Sequence, residues 1–388
     1  MKEWHGTCTR TDFTDSGISK AAELAPLDQI LLFDIETTGF SPKSCYCYMI
    51  GYCYFQDSMW HYRMLFNDDG RSEYAMINDF LHVLNGYTLL IHYNGDGFDI
   101  PFLTEKIRQY QSFGLSFQDP DSLSRIESLD LYKILKPYRH GLDLPNIKLA
   151  TIEQAMGYLR SDRYNGGELI KVYRDYLVSP SENAEHELYQ HNYEDIQAMI
   201  PMLSLLNYTA MPDFPASSIM VHKVDDPDSG DTYIIAEFTL SAAIPLPYHK
   251  KEGILQIQCE GDSGRLILPV VREELRYYIP TWKDYYYLPV EDRIIHKSLA
   301  AYVDSEYKEK ATKQNCYLKK TGTFLPIPKS FVDKIDTIIQ NTELSKIYQT
   351  APQSTEYYIE YQESFLDKED EETHPKFLHA CIQAMLQV

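Results

Sequence analysis

The sequence lacks any long hydrophobic run. No stretch of its 388 residues approaches the ~18 uninterrupted apolar residues of a membrane-spanning helix. The first residues also lack an apolar segment and carry charged side chains such as Lys2, Glu3 and Arg10, which is not the pattern of a secretory signal. We therefore expect a cytoplasmic protein that does not bind membranes.

Cysteine is scarce, and its spacing is not that of a metal or disulfide framework. The seven cysteines form no Cys-x-x-Cys motif, and their number is odd. Reduced thiols in a cytosolic protein are the simplest explanation.

Positive charge is also in short supply. The 36 Lys and Arg residues are outnumbered by 57 Asp and Glu residues, which gives a formal net charge of −21. A protein that simply coats nucleic acid needs clustered Lys and Arg to neutralise phosphates, so this balance argues against that class. An enzyme that holds a short strand end through metal ions remains compatible with it.

The length is sufficient for two or three domains. Residues 1–27 are predicted to be an irregular or helical lead-in. In 28–206, three strands joined by short turns precede a helix–strand–helix pattern, which predicts a mixed sheet covered by helices. Residues 207–215 contain two prolines and no periodicity, which predicts a linker. The pattern then changes, and 216–388 is predicted to be a separate α+β domain.

Residues 30–39 contain the most informative stretch, Ile-Leu-Leu-Phe-Asp-Ile-Glu-Thr-Thr-Gly. Its apolar start predicts a central strand buried on both faces. Asp34 and Glu36 are two residues apart at the strand end and therefore project from one face. Two buried acids side by side need a positive partner. Carboxylate oxygens without nearby Cys or His favour Mg²⁺ or Mn²⁺.

Two further stretches place acids at the ends of predicted elements. Asp99 follows the strand at 87–93 and its polar turn, and Asp195 lies one helical turn after His191 on a core-facing helix. Four converging carboxylates suit two divalent ions about 4 Å apart, which generate hydroxide and stabilise the leaving oxygen of a phosphodiester. His191 would orient or deprotonate the attacking water. Asp130 is predicted to cap the helix that follows it.

These stretches resemble the three motifs of the DEDD, or DnaQ-like, 3′–5′ exonuclease superfamily. The first motif is matched by 33–39, the second by 92–103, and the third by the stretch that ends at Asp195. Within the superfamily, 144–157 and 166–169 are most similar to the bacterial YprB-type ribonuclease H-like domain. The resemblance covers about 28–206.

The resemblance implies an α/β, RNase H-like fold with a mixed five-stranded sheet and flanking helices. It also implies a metal-dependent 3′–5′ exonuclease that acts on the 3′ end of single-stranded DNA or RNA. Two Mg²⁺ or Mn²⁺ ions would be held by Asp34, Glu36, Asp99 and Asp195. Catalysis would involve Glu36 and His191. Substrate binding would involve Thr37, Asn94 and Phe98. The C-terminal domain is a candidate site for a protein partner.

One position departs from the family pattern. One branch of the superfamily has a tyrosine four residues before the last aspartate, and the other has a histidine five residues before it. Here His191 stands four residues before Asp195, so it either replaces the tyrosine or weakens activity. Two alternatives therefore stay open: a nuclease-like scaffold without turnover, and an endonuclease of the same fold. No base-reading element distinguishes DNA from RNA.

Overall fold

A computed structural model describes residues 1–8, 15–158, 160–161, 164–332, 346–361, 363 and 373–387. The chain forms two compact units. The first comprises Met1–Thr209 with Ile244–Leu246, and the second comprises Ala210–Ala243 with Pro247–Val388. Within the described ranges, every helix is too short or too polar to cross a membrane.

The first unit is built on a mixed sheet with six strands in the described residues. These strands are β1 (Lys2–Thr7), β2 (Ile30–Thr37), β3 (Cys47–Gln56), β4 (Met59–Phe66), β5 (Leu89–His92) and β6 (Glu127–Asp130). Their order is β1-β4-β3-β2-β5-β6. Strands β2, β5 and β6 are parallel, whereas β1, β4, β3 and β2 pair antiparallel. The carboxyl ends of β2, β5 and β6 therefore meet at one edge.

Helices flank this sheet. They are α1 (Asp15–Leu24), α2 (Glu73–Leu84), α3 (Asp99–Ser112), α4 (Ser122–Arg125), α5 (Leu131–Leu135), α6 (Leu149–Ala155), α7 (Gly166–Val178) and α8 (Glu182–Met202). Side chains alternate along β2, as in any strand. Leu31, Phe33 and Ile35 join one buried cluster with residues of α2 and α3. Asp34 lies on the opposite face, where α8 packs against β2 and β3.

Aromatic contacts attach α8 to the antiparallel part of the sheet. The ring of Trp4 on β1 lies 5.3 Å from the ring of Tyr189 on α8. Tyr62 on β4 meets Tyr193 edge-on at 4.7 Å, and its hydroxyl lies 2.9 Å from that of Tyr189. Such aromatic pairs add to the burial energy of the interface. The position of α8 over the sheet is therefore fixed at several points.

The N-terminal region differs from the predicted lead-in. Residues 2–7 form β1, which pairs with β4 over its whole length, so the sheet has six strands and not five. The strand is mostly exposed and lies at the sheet edge. It has no apolar run, and edge strands of this kind give a weak sequence signal. Residues 9–14 lie outside the described part of the chain.

The stretch predicted as a linker, 207–215, is largely buried. A 3₁₀ helix runs over Leu203–Ala210, and Tyr208, Met211 and Phe214 have exposures of 0%, 1% and 5%. The two prolines follow the end of this helix, where proline is well tolerated. The boundary between the two units falls inside this stretch, between Thr209 and Ala210, and its role as a linker stays a prediction.

The second unit is rich in antiparallel strands. They are β7 (Met220–Asp225), β8 (Thr232–Glu252), β9 (Leu255–Tyr278), β10 (Tyr285–Leu288), β11 (Arg293–His296), β12 (Glu309–Lys310), β13 (Tyr317–Ile327), β14 (Tyr348–Gln349) and β15 (Tyr357–Glu360). One sheet has the order β13-β15-β14-β9-β8-β7 with an additional β13–β9 pairing, and a smaller one has the order β11-β10-β12. The helices described here are α9 (Lys297–Ala300), α10 (Lys329–Val332) and α11 (Thr373–Leu386).

Candidate active site

Strand β2 carries the first two acids to its carboxyl end. Asp34 is half-buried, and its Oδ2 accepts a hydrogen bond of 2.9 Å from Asn192 Nδ2. Glu36 is 8% exposed, and its Oε2 lies 3.3 Å from the hydroxyl of Tyr48, which donates to it. The predicted pair of acids therefore lies at the end of a buried strand.

Asp99 is the first residue of α3, directly after the polar turn that follows β5. It is 5% exposed, and its Oδ1 accepts a hydrogen bond of 3.2 Å from the backbone N–H of Ile35. Because Ile35 stands between Asp34 and Glu36, this bond fixes the start of α3 beside both acids. Asp99 therefore joins the same edge of the sheet.

Helix α8 supplies the third stretch. Its residues His191 and Asp195 are one turn apart, and Asp195 is 7% exposed. His191 Nε2 lies 3.3 Å from Glu36 Oε1 and 3.6 Å from Asp195 Oδ2. The histidine therefore stands between an acid of β2 and an acid of α8. Residues separated by more than 150 positions in the sequence meet here.

The electrostatics are those of a crowded, buried acid cluster. Burial raises the pKa of Asp34 well above its usual range, and the charges of Asp195, Asp99 and Glu36 raise it further. Burial raises the pKa of Glu36 to about 7, against the opposing effect of His191. Burial also raises the pKa of Asp99 to about 7. Ionising Asp34, Glu36 and Asp99 together without a compensating cation is therefore unfavourable.

A glycine allows α8 to approach so closely. Gly51 on β3 is paired with Asp34 across the sheet. A Cβ at this position would lie 2.0 Å from Ile196 Cδ1 and 2.1 Å from Asn192 Oδ1, distances that real atoms do not adopt. The absence of a side chain at Gly51 is thus what lets Asn192 reach Asp34.

Arg160 is a site residue that the sequence did not reveal. Its Nη1 donates hydrogen bonds of 2.6 Å to Asp195 Oδ1 and 2.8 Å to Glu153 Oε2. Its Nη2 lies 3.3 Å from Nδ1 of His191. The side chain is only 18% exposed. A lone arginine outside any periodic pattern gives no signal that could have identified it.

The residues predicted to bind substrate are close to the acids along the chain, since Thr37 follows Glu36 and Phe98 precedes Asp99. Thr37 Oγ1 donates to the carbonyl of Gly39 at 2.9 Å, and Asn94 is exposed with a positive φ of 64°. Phe98 is half-buried, and its ring meets Phe40 edge-on at 6.0 Å. Phe40, which sequence reasoning missed, is 90% exposed. The two rings form an aromatic ledge on the side of the site where the chain leaves β2.

A second group of polar side chains lies at the ends of β5 and β6. His92, Asp96 and Asp130 offer ligand atoms close to one another. Ser128 Oγ donates to Asp96 Oδ1 at 2.7 Å and lies 2.7 Å from His92 Nε2. Asp130 Oδ1 accepts from the N–H of Tyr132 at 3.0 Å, which confirms the predicted helix cap.

Two sets of His and acidic side chains in the described residues are compact enough to share one ion: Glu36, His191 and Asp195, and His92, Asp96 and Asp130. The first set lies beside Asp34 and Asp99, and its donors are mainly carboxylate oxygens. Oxygen donors suit hard divalent cations. The residues present therefore fit a divalent metal at the first set.

Most of the first unit matches a known family model. Residues 31–207 match the family RNase_H_2, described as RNase_H superfamily. Together with the mixed sheet and its flanking helices, this match confirms the predicted RNase H-like α/β fold. The part of the chain that contains the acid cluster thus has an RNase H-like fold.

Individual relatives were also found. Over 147 residues the chain is 25% identical to DNA polymerase 1 of Aeropyrum pernix, and this alignment covers 35% of this chain and 14% of the polymerase. Two solved structures are also similar. The family B DNA polymerase of Pyrobaculum calidifontis aligns with TM-score 0.37 and 16% identity, over 48% of this chain and 26% of the polymerase chain. E. coli exonuclease I in complex with a dT13 oligonucleotide aligns with TM-score 0.26 and 13% identity, over 59% of this chain and 54% of the exonuclease chain. The chain thus spans about one seventh of the curated relative.

Proposed function

We propose that this chain is a metal-dependent 3′–5′ exonuclease that hydrolyses phosphodiester bonds at the end of single-stranded DNA or RNA. The observation that carries the proposal is the meeting of Asp34, Glu36, Asp99 and Asp195, which come from three remote stretches, at one edge of the sheet. The match of residues 31–207 to a family described as RNase_H superfamily supports the same chemistry.

The four acids would hold two ions, Mg²⁺ or Mn²⁺. When bound, such a pair supplies hydroxide at neutral pH and stabilises the leaving oxygen. The chain itself supplies orientation. Asn192 fixes one oxygen of Asp34, the N–H of Ile35 fixes one oxygen of Asp99, and Tyr48 fixes one oxygen of Glu36. Locked carboxylates of this kind are what a preorganised site requires.

His191 would take the place of the family tyrosine. A guanidinium only donates hydrogen bonds, and Arg160 Nη2 lies 3.3 Å from His191 Nδ1. This contact favours an imidazole that accepts at Nδ1 and carries its proton on Nε2. The Nε2–H then faces Glu36 and Asp195, where it would orient the attacking water by donating to it. Orientation is therefore favoured over proton abstraction as the role of His191.

The substrate would lie along the exposed side of the acids. The ledge formed by Phe40 and Phe98 offers faces for stacking a base, a contact that tolerates every base. Thr37 and Asn94 lie at the two strand ends that flank the acids, where they would contact the sugar or phosphate. These contacts would be to base faces, sugars and phosphates, which every nucleotide has, so the arrangement suits a nuclease without sequence preference.

The experiment is incubation of the full chain with end-labelled single-stranded DNA and RNA and with Mn²⁺ or Mg²⁺. We expect a ladder of products shortened one nucleotide at a time from the 3′ end. Asp34→Asn removes a charge from the metal cluster and should lower the rate at least a hundredfold. Asp79→Asn, which removes the charge of an exposed residue on α2, is the matched control and should cleave normally.

One observation favours a second candidate function, a nucleic-acid-binding scaffold without turnover. The 2.6 Å contact between Arg160 and Asp195 competes with a metal for the same oxygen. Tight binding of labelled strands with no cleavage in either metal would support the scaffold. Internal cuts that also disappear in Asp34→Asn would support an endonuclease.

A further inference from the structure

A basic segment, here residues 133–140, stands out in this acidic chain. Between Leu131 and Leu142 the sequence has no Asp or Glu. Lys133, Lys136, Arg139 and His140 are all exposed, and with Pro137 they line a cavity of about 380 Å³. The segment thus concentrates positive charge in a protein whose net charge is −21.

The frame that carries these cations is firmly anchored. The side chain of Asp130 caps the start of α5, and Leu135 is fully buried. The hydroxyl of Tyr138, itself 6% exposed, donates a 2.8 Å hydrogen bond to the carbonyl of Tyr208. Apolar side chains therefore fix the segment from beneath, and the cations are held on its outer side without a large ordering cost.

Two of these cations lack a carboxylate partner in the described part of the chain. Lys133 Nζ is neutralised by Asp96 Oδ2 at 2.6 Å. Lys136 instead lies over the ring of Tyr132 at 6.0 Å, and Arg139 Nε donates to His140 Nε2 at 3.0 Å. An exposed cation that no acid neutralises is available to bind a phosphate.

The basic segment lies next to the acid cluster. It begins three residues after Asp130, whose Oδ1 accepts a 2.7 Å hydrogen bond from the N–H of Asn94. Asp96, the partner of Lys133, belongs to the same short turn, which leads directly to Asp99. Lys133 therefore contacts the turn that leads to Asp99, and Lys136 and Arg139 follow it within the same short segment.

We propose that the basic segment binds the phosphate backbone of the nucleic-acid strand whose end enters the acid cluster, with Lys136 and Arg139 as its principal contacts. This inference rests on the proposed function. Its physical reason is that a strand approaching a chain of net charge −21 is repelled except where cations are exposed. The position beside the acids favours a nucleic acid over an acidic peptide as the partner.

The test measures binding by fluorescence anisotropy, with labelled single-stranded DNA and RNA oligonucleotides over a range of salt concentrations. Every protein is the full chain with Asp34→Asn, which keeps the substrate intact. Lys136→Gln/Arg139→Gln is compared with Lys171→Gln/Arg174→Gln, which removes a lysine and an arginine at the same spacing from exposed positions of α7. Thermal melting checks that both variants are folded.

Each phosphate contact on a single strand contributes about 0.7 to the slope of log affinity against log salt. We expect Lys136→Gln/Arg139→Gln to lower this slope by about 1.4 and to weaken binding about tenfold at low salt. An affinity and a slope equal to those of the α7 variant would overturn the proposal. So would an unchanged oligonucleotide affinity combined with lost binding of a labelled oligoglutamate.

A cleavage assay separates this inference from the proposed function. It compares the native chain with a chain that carries Lys136→Gln/Arg139→Gln and keeps Asp34. If the native chain cleaves and the substituted chain cleaves with the same KM, the basic segment has no role and the nuclease assignment stands. If the native chain binds strands through the segment and never cleaves them, the segment is supported and the nuclease assignment fails. If the native chain neither binds nor cleaves, both fail.

Discussion

At the scale of single residues, Arg160 carries the least expected role in the acid cluster. It bridges Asp195, Glu153 and His191 with one guanidinium that is mostly buried. The positive charge of Arg160 offsets part of the negative charge of the acid cluster, which two bound metal ions would otherwise offset. Arg160 and a metal beside Asp195 are therefore expected to compete.

Replacing Arg160 by glutamine tests that competition. Arg160→Gln leaves Asp195 and Glu153 without their cation, which should destabilise the metal-free protein by about 3 kcal/mol. Since the same change frees Asp195 Oδ1, Mn²⁺ should bind more tightly and raise the melting temperature more than it does in the native protein. Titration calorimetry and thermal melting with and without Mn²⁺ provide the measurements.

Arg160→Lys is the matched control, because it keeps one positive charge near Asp195 and loses only the branched geometry. We expect it to lie between the native protein and Arg160→Gln in both measurements. If Mn²⁺ raises the melting temperature of all three proteins equally, Arg160 does not compete with the metal.

The sequence pattern predicted some residues of the candidate site but not others. Asp34 and Glu36 follow a buried apolar run, so their burial was evident from the sequence, and His191 with Asp195 shows the four-residue spacing of one helix face. Asn192 and Arg160 have no such pattern. Their roles depend on which atoms face them after folding, namely Asp34 Oδ2 and Asp195 Oδ1.

At the scale of elements, the packing of α8 on the sheet decides whether the third stretch reaches the other two. Gly51 is the critical contact, because a Cβ there would overlap Asn192 and Ile196. Gly51→Ala must move α8 or β3. We expect a loss of about 1–3 kcal/mol of stability and a loss of cleavage, although no acid is changed.

The control for this prediction is Gly86→Ala. A Cβ at exposed Gly86 would meet only the carbonyl of Val83 at 3.5 Å, an ordinary contact, so stability should change by no more than about 0.5 kcal/mol. Chemical denaturation and the cleavage assay are the readouts. Equal stability and activity of the two variants would show that α8 tolerates a side chain at position 51.

The elements themselves were unevenly predictable. Strands β2, β3 and β5 are rich in apolar residues, and β4 alternates between apolar and polar residues, which explains why their existence and order along the chain were foreseen. Strand β1 is a polar edge strand, and its pairing with β4 is decided by contacts 60 residues away. The boundary between the two units falls within 207–215, but the 3₁₀ helix that ends there was not foreseen, because two prolines and a lack of periodicity mark a helix end as readily as a loop.

At the scale of the whole molecule, the buried acids couple folding to pH and to metal. Burial raises the pKa of Glu36 from 4.5 to about 7 and that of Asp99 from 3.8 to about 7. The folded chain therefore holds protons that the unfolded chain has already released across this window. Stability of the metal-free protein should be greatest below these raised values and fall as pH rises from about 5 to about 8.

The measurement is a series of melting curves in EDTA between pH 5 and pH 8. We expect a falling melting temperature, and added Mn²⁺ should reverse most of the fall above pH 7, because the ionised carboxylates then have a counter-charge. Asp34→Asn should show a flatter profile, because one of the repelling acids has gone. A native protein whose melting temperature rises steadily over this range would contradict the assignment of a repulsive acid cluster.

The contact of Trp4 with Tyr189 gives the first unit an internal optical reporter. An indole on the outermost strand touches the same helix that bears His191 and Asp195, so a displacement of that helix would alter the indole's emission. Steady-state fluorescence excited at the indole band could thus follow loading of the cluster in unlabelled protein. Trp60 and Trp282 would contribute background emission. The Trp4→Phe variant measures that background, which is then subtracted from the emission of the native protein.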